Sequence, residues 1–189
     1  MSLIPAFQIG VWNAWIFVLY AILAICIIPV FNKSANQTGD HSAILNNKEK
    51  RILLSYHIIF LVQCLYSIFL PLKLGTAWFY AGLVVAFLGL VFYTSGIMSL
   101  ATTHITEEPM TKGAYRFSRH PMYVSSSIMF LGVGIACASW LFILLTIAYA
   151  VLSLISSIAE ERFLLLHYGD SYRQYMSRTP RWLGIPKSG

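Results

Sequence analysis

MYVSSSIMFLGVGIACASWLFILLTIAYAVLSLISSIA, residues 122–159, is a run of 38 residues without one charged side chain. As a single helix it would extend about 57 Å at 1.5 Å per residue, nearly twice the roughly 30 Å hydrocarbon core of a bilayer. It therefore reads as two helices in a tight hairpin, turning at Cys137-Ala138-Ser139-Trp140. Each arm is short for a full crossing, and both ends return to the same side of the membrane.

Working outward, three earlier apolar tracts have spanning length: Trp12 to Phe31, Ile52 to Leu72 closed by Pro71, and Thr76 to Leu100. Only 11% of the 189 residues are charged and 58% are hydrophobic, a balance that excludes an ordinary soluble domain. Residues 1–10 carry no Lys or Arg, so the first segment reads as a retained span rather than a signal peptide. The expected architecture is an all-α integral membrane protein with five transmembrane segments, the last two forming the hairpin. It reads as a single membrane domain over residues 1–189, with three helices in 1–100 and a loop, the hairpin and a tail in 101–189.

Charge placement fixes the orientation. With the N-terminus outside, twelve of the thirteen Lys and Arg residues fall on the cytosolic face, and Lys73 alone lies opposite. A single helix in place of the hairpin would send the basic tail to the wrong side. The net charge of +6 is then matched to anionic lipid headgroups, not nucleic acid. Cys26, Cys64 and Cys137 all sit inside apolar tracts with no ligand spacing, so neither a disulfide framework nor a metal site is expected.

Polar residues within the tracts have structural readings. Gln63 and His57 suit interhelical hydrogen bonds. Gly82, Gly89 and Gly96 recur every seven residues on one helix face, where another backbone can approach. The loop from Asn32 to Arg51 reads as a solvated connector, and no chemistry is assigned to it.

Chemistry concentrates on the cytosolic side. In Lys112-Gly113-Ala114-Tyr115-Arg116-Phe117-Ser118-Arg119-His120-Pro121-Met122-Tyr123, Pro121 suits the first turn of a helix, whose unpaired N–H groups then face the interface. Glu160-Glu161 ends the uncharged tract on the same face, where carboxylates are costly and are retained for function or pairing. Adjacent helical residues point about 100° apart, so one carboxylate can face a ligand while the other pairs with Arg116, Arg119 or Arg162.

These motifs, with Tyr168-Gly169-Asp170-Ser171-Tyr172-Arg173-Gln174-Tyr175, resemble the C-terminal half of isoprenylcysteine carboxyl methyltransferases, in a superfamily that includes the phospholipid N-methyltransferases. The likeness covers residues 107–183 and is that of a compact prokaryotic member. It implies an S-adenosyl-L-methionine pocket on the cytosolic face, with S-adenosyl-L-homocysteine as product. The implied cofactor-binding residues are Glu107, Glu108, Pro109 and Met110, matched by offset, then Tyr115, and then His120, Pro121, Met122, Tyr123 and Glu160. Two departures bear on the substrate: Ser156 stands where the eukaryotic carboxyl methyltransferases have an arginine, and Gly89 and Gly96 stand apart where the N-methyltransferases have Gly-x-Gly.

The functional expectation is a methyltransferase whose lipophilic acceptor enters from the bilayer, foremost the carboxylate of a prenylated cysteine or a similar lipid carboxylate. Position and chemistry nominate Arg119 to orient such a carboxylate, and Glu161 as a base if the acceptor is a lipid amine. An NADPH-dependent, sterol-reductase-like enzyme shares the Arg-His-Pro-x-Tyr turn and is the competing enzymatic reading. A non-enzymatic membrane scaffold is the third. No metal is expected.

Overall fold

The computed structural model describes residues 7–31, 45–103 and 108–186. These form helices α1 (Trp15–Phe31), α2 (Asn47–Phe69), α3 (Ala77–Thr102), α4 (Pro121–Ala136), α5 (Trp140–Tyr168) and α6 (Asp170–Arg178), with a 3-10 turn at Gly113–Arg116 before α4. Among them α2, α3 and α5 are long and apolar enough to cross a membrane, while α4 and the described part of α1 are shorter.

Helix ends follow local chemistry more than hydropathy. α2 begins before its apolar tract because Asn46 and Glu49 form a reciprocal capping box, each side chain bonding the other's backbone N–H at 2.9 Å. Thr76 and Ser139 cap α3 and α5 by accepting from Phe79 N and Phe142 N. α5 then runs 29 residues, about 43 Å, through Glu160-Glu161 to Tyr168. The short arm expected from hydropathy is therefore corrected for α5: charge ends the apolar tract, but Glu, Arg and Leu continue the helix. Gly169, at φ 55°, stops it. Asp170 is the first residue of α6 and pairs with Arg173 at 3.0 Å.

Packing is organised by small residues on α3 and α4. A Cβ on Gly82 would lie 2.1 Å from Ala136 N, one on Gly89 would lie 2.4 Å from Met129 N, and one on Gly132 would lie 2.2 Å from Ala86 N. The two backbones therefore touch, and the paired positions 82 with 136, 89 with 129 and 96 with 122 make the helices antiparallel. The seven-residue glycine spacing does what the sequence implied. α5 lies antiparallel to α4 through a three-residue turn: Phe130 meets the rings of Phe142 and Tyr149, and Ser126 bonds Tyr149 at 3.0 Å.

α2 packs on α5 through Gln63 Nε2 donating to Thr146 Oγ1 at 2.9 Å and the Tyr56–Tyr149 hydroxyl pair at 2.9 Å. At the end near the α4–α5 turn the chain is stapled by backbone bonds: Ala14 N to Leu70 O, Leu72 N to Trp12 O and Lys73 N to Ala136 O. Buried Asn13 adds side-chain donors to Gln8 O and Ile68 O. The opposite end, where α2 and α4 begin and α5 ends, carries the polar residues discussed next.

Candidate active site

Pro121 opens α4, and His120 before it is the N-cap without a side-chain cap bond, so its ring is available to face α5. Buried Ser118 accepts from His120 N at 3.1 Å and fixes the turn. Arg119 projects alongside and is consumed by the protein. Its Nε donates to Glu161 Oε1 at 2.9 Å, and its Nη1 donates to the carbonyls of Met176 and Thr179 at 3.0 and 3.3 Å.

Glu161 is the hub. The residue is 3% exposed, and its Oε1 also meets His120 Nε2 at 3.2 Å and Arg181 Nε at 3.1 Å. Its Oε2 accepts from Arg181 Nη2 at 2.6 Å and Nε at 3.1 Å. Both oxygens are thus filled by charge-assisted bonds. Arg181 belongs to the tail, which is tied down further by Arg119 N to Pro180 O, Gly184 N to Phe117 O, and the Tyr175 hydroxyl to Tyr115 O at 2.7 Å.

His120 stands between two carboxylates: its other nitrogen, Nδ1, lies 3.5 Å from Glu160 Oε2. Burial pushes its pKa down, but hydrogen bonds to Glu160 and Glu161 outweigh that and raise it above the ordinary histidine value. The ring stacks on Tyr123 at 5.7 Å and meets Trp182 at 6.0 Å. Burial likewise raises the Tyr115 hydroxyl, with Glu160 adding to the effect, so that phenol stays neutral.

The divergence of adjacent carboxylates is resolved as follows. Glu161 turns into the protein, whereas Glu160, with its side chain 35% exposed, lines a narrow slot between α2 and α5. Tyr123, Ser156 and Ala159 form one wall with Glu160, and Leu45, Glu49, Ile52 and Leu53 form the other. The Ser156 hydroxyl is buried there without a partner among the described residues. The slot holds only about 30 Å³. Glu49 pairs across it with Arg162 Nη2 at 2.8 Å.

The nominated residues do not all converge. Tyr123 and Glu160 share the slot, with His120 directly behind. Met122 packs toward Gly96 of α3, and Pro121 is buried in the same contact. Glu108 and Pro109 line a different, polar cavity beside α6, and Met110 lies between them and the 3-10 turn. Glu107 lies outside the described residues. Two contributors went unrecognised in the sequence. Glu49 was passed over in a connector, although the Asn46-x-x-Glu49 spacing signals a helix start; Arg181 carried no local signal of its partner.

Fold and site together define a helical protein with three helices long and apolar enough to cross a membrane and an acidic pocket at one end of its bundle. The family model for phospholipid methyltransferases matches residues 72–171, more than half of the chain, and the chain belongs to that family of membrane methyltransferases. The match begins upstream of the motifs that carried the resemblance and takes in all of α3. No curated protein matches the chain.

Proposed function

We propose that the protein transfers a methyl group from S-adenosyl-L-methionine to a lipid held at the slot between α2 and α5. The carrying observation is Glu160, a carboxylate opening into a largely apolar slot, faced by Glu49 and backed by His120. The residues suit the cofactor. Glu160 provides an anionic partner for its ammonium group, the buried Ser156 hydroxyl is still to be satisfied, and Tyr123 offers an aromatic face to a sulfonium. When bound, the cofactor supplies an electrophilic methyl group. The protein's part is to hold the acceptor in line and to exclude water.

The charges of the slot favour a lipid amine as acceptor. A carboxylate such as that of a prenylated cysteine would enter between Glu49 and Glu160, and the cation nominated to receive it, Arg119, is bound to Glu161 and two backbone carbonyls. A neutral amine meets no such repulsion: its lone pair takes the methyl as the carbon–sulfur bond breaks to leave a thioether, and the positive charge that moves to nitrogen is stabilised beside the acidic wall until a proton is released to solvent. Glu161, with both oxygens occupied by arginines and His120, serves to position His120 and the tail rather than to take a proton. The carboxylate reading keeps Arg162, at the rim, as its cation.

In this reading the chain is one membrane unit crossing five times, with the α4–α5 hairpin returning to the cytosolic side and the N-terminus outside. Cofactor enters from the cytosol and acceptor from the bilayer. The test is binding of S-adenosyl-L-homocysteine, followed by thermal stabilisation, in the parent, Glu160→Gln and His120→Ala. The proposal expects binding to weaken at least about tenfold in Glu160→Gln, the loss of one charge-assisted bond, and it is overturned if both variants bind as the parent does. NADPH serves as the comparison ligand and gives no stabilisation. Incubating membranes with methyl-labelled cofactor then distinguishes acceptors: label lost in mild base marks an ester, and retained label marks an N-methyl group.

A further inference from the structure

Two cavities much larger than the slot flank the 3-10 turn. Along α3, Leu88, Val91, Phe92 and Ser95 form a groove with Gly113, Ala114 and Phe117, enclosing about 460 Å³. Leu88 to Ser95 covers two helical turns, about 10 Å, and polarity rises along that length toward the turn. On the other side of the turn Glu108, Thr111, Ser171, Gln174 and Arg178 line a polar cavity of about 500 Å³. Both volumes fall within the usual range for ligand pockets. One residue, Arg116, lines both.

We infer that groove and cavity together bind one anionic phospholipid, its acyl chain along α3, its phosphate at Arg116 and its headgroup toward Arg178. The sequence of surfaces matches an amphiphile: apolar wall, cationic junction, polar chamber. The charges match as well, since two guanidiniums outnumber the single carboxylate of Glu108. Both arginines are exposed, and neither is in an ion pair among the described residues. A guanidinium held at the end of an apolar groove is placed to bond a phosphodiester in bidentate fashion. The inference is independent of the slot, none of whose residues takes part; it assigns Glu108 and Pro109, which the resemblance gave to the cofactor, to the headgroup chamber instead. Such a lipid would hold the 3-10 turn, and with it the Ser118–His120 segment, in register with the headgroup layer.

The test is native mass spectrometry of purified, delipidated protein titrated with phosphatidylglycerol, with diacylglycerol of the same chains, and with inorganic phosphate. Phosphatidylglycerol is expected to be retained and the other two are not. Arg116→Gln should weaken retention about tenfold, and Val91→Trp, which fills the groove from an exposed position, should abolish it without loss of helicity. The inference is overturned if diacylglycerol binds as tightly as phosphatidylglycerol, or if the Arg116→Gln/Arg178→Gln double variant binds as the parent. Stabilisation by S-adenosyl-L-homocysteine, measured on the same variants, should be unchanged, so failure here leaves the methyltransferase reading to its own test.

Discussion

Replacing Glu161 by Gln keeps the side chain's shape and removes its charge. In the parent, Arg119 Nε, Arg181 Nε and Nη2, and His120 Nε2 all converge on this one carboxylate. A carboxamide offers one accepting oxygen, and its NH2 group then faces a guanidinium donor to donor. The Arg119 side chain is only 9% exposed, so it is left as an uncompensated buried cation, a change that costs about 3–5 kcal/mol. Arg181 is 36% exposed and screened by solvent, and contributes at most about 1 kcal/mol. Glu161→Gln should therefore lose about 4 kcal/mol in reversible denaturant unfolding in detergent, and Arg181→Gln about 1 kcal/mol. The Arg119→Met/Glu161→Leu double variant should recover much of the loss, because neither charge is then stranded. A loss below about 1 kcal/mol for Glu161→Gln would refute the assignment of Glu161 as the buried anchor.

The His120 ring faces Glu160 and Glu161 with both nitrogens, and its pKa is raised in the folded protein. The cations near it, Arg119 and Arg181, are already bonded to Glu161. A raised folded pKa gives stability that is complete below the unfolded value of about 6.5 and is lost as pH rises through the folded value. Melting temperature should thus fall across that interval in the parent and stay flatter in His120→Gln; parallel profiles would argue against a charged His120. Gly132→Ala should destabilise by about 3 kcal/mol or more, since its Cβ would meet Ala86 N at 2.2 Å, backbone that cannot move aside. Ser127→Ala, whose hydroxyl bonds Tyr123 O of its own helix, serves as the mild reference in the same thermal melts.

Much of the helical plan was legible because hydrocarbon length is a hard constraint. The turn at Cys137-Ala138-Ser139 follows from the length of one uncharged run, and the α3–α4 contact follows from glycines seven residues apart. The extent of α5 was not legible, because hydropathy marks where lipid ends, not where a helix ends. Angular spacing shows that Glu160 and Glu161 must diverge. Which of them faces outward depends on the rotation of α5 against α4, set by Phe130, Phe142 and Tyr149 across the interface, and no local pattern encodes it. The same limit hid Arg181, which meets Glu161 across an intervening glycine and a whole helix, and Glu49, 113 positions upstream of Arg162.

The backbone bonds that join α1, α2 and α4 near the α4–α5 turn give the bundle two unequal ends. There Ala14–Leu70 and Leu72–Trp12 tie the start of α1 to the end of α2, Lys73–Ala136 ties the following connector to α4, and Gln63–Thr146 and Tyr66–Ser139 tie α2 to α5 and its cap. At the slot, α2 is held to α5 by the exposed Glu49–Arg162 ion pair, and by the Tyr56–Tyr149 contact further in; the ion pair is of a kind that contributes little. α2 is therefore joined to α5 by buried side-chain bonds over most of its length and by an exposed ion pair at the slot. A guest larger than the slot's about 30 Å³ would have to part α2 from α5 first at Glu49–Arg162, with Tyr56–Tyr149 the next bond inward.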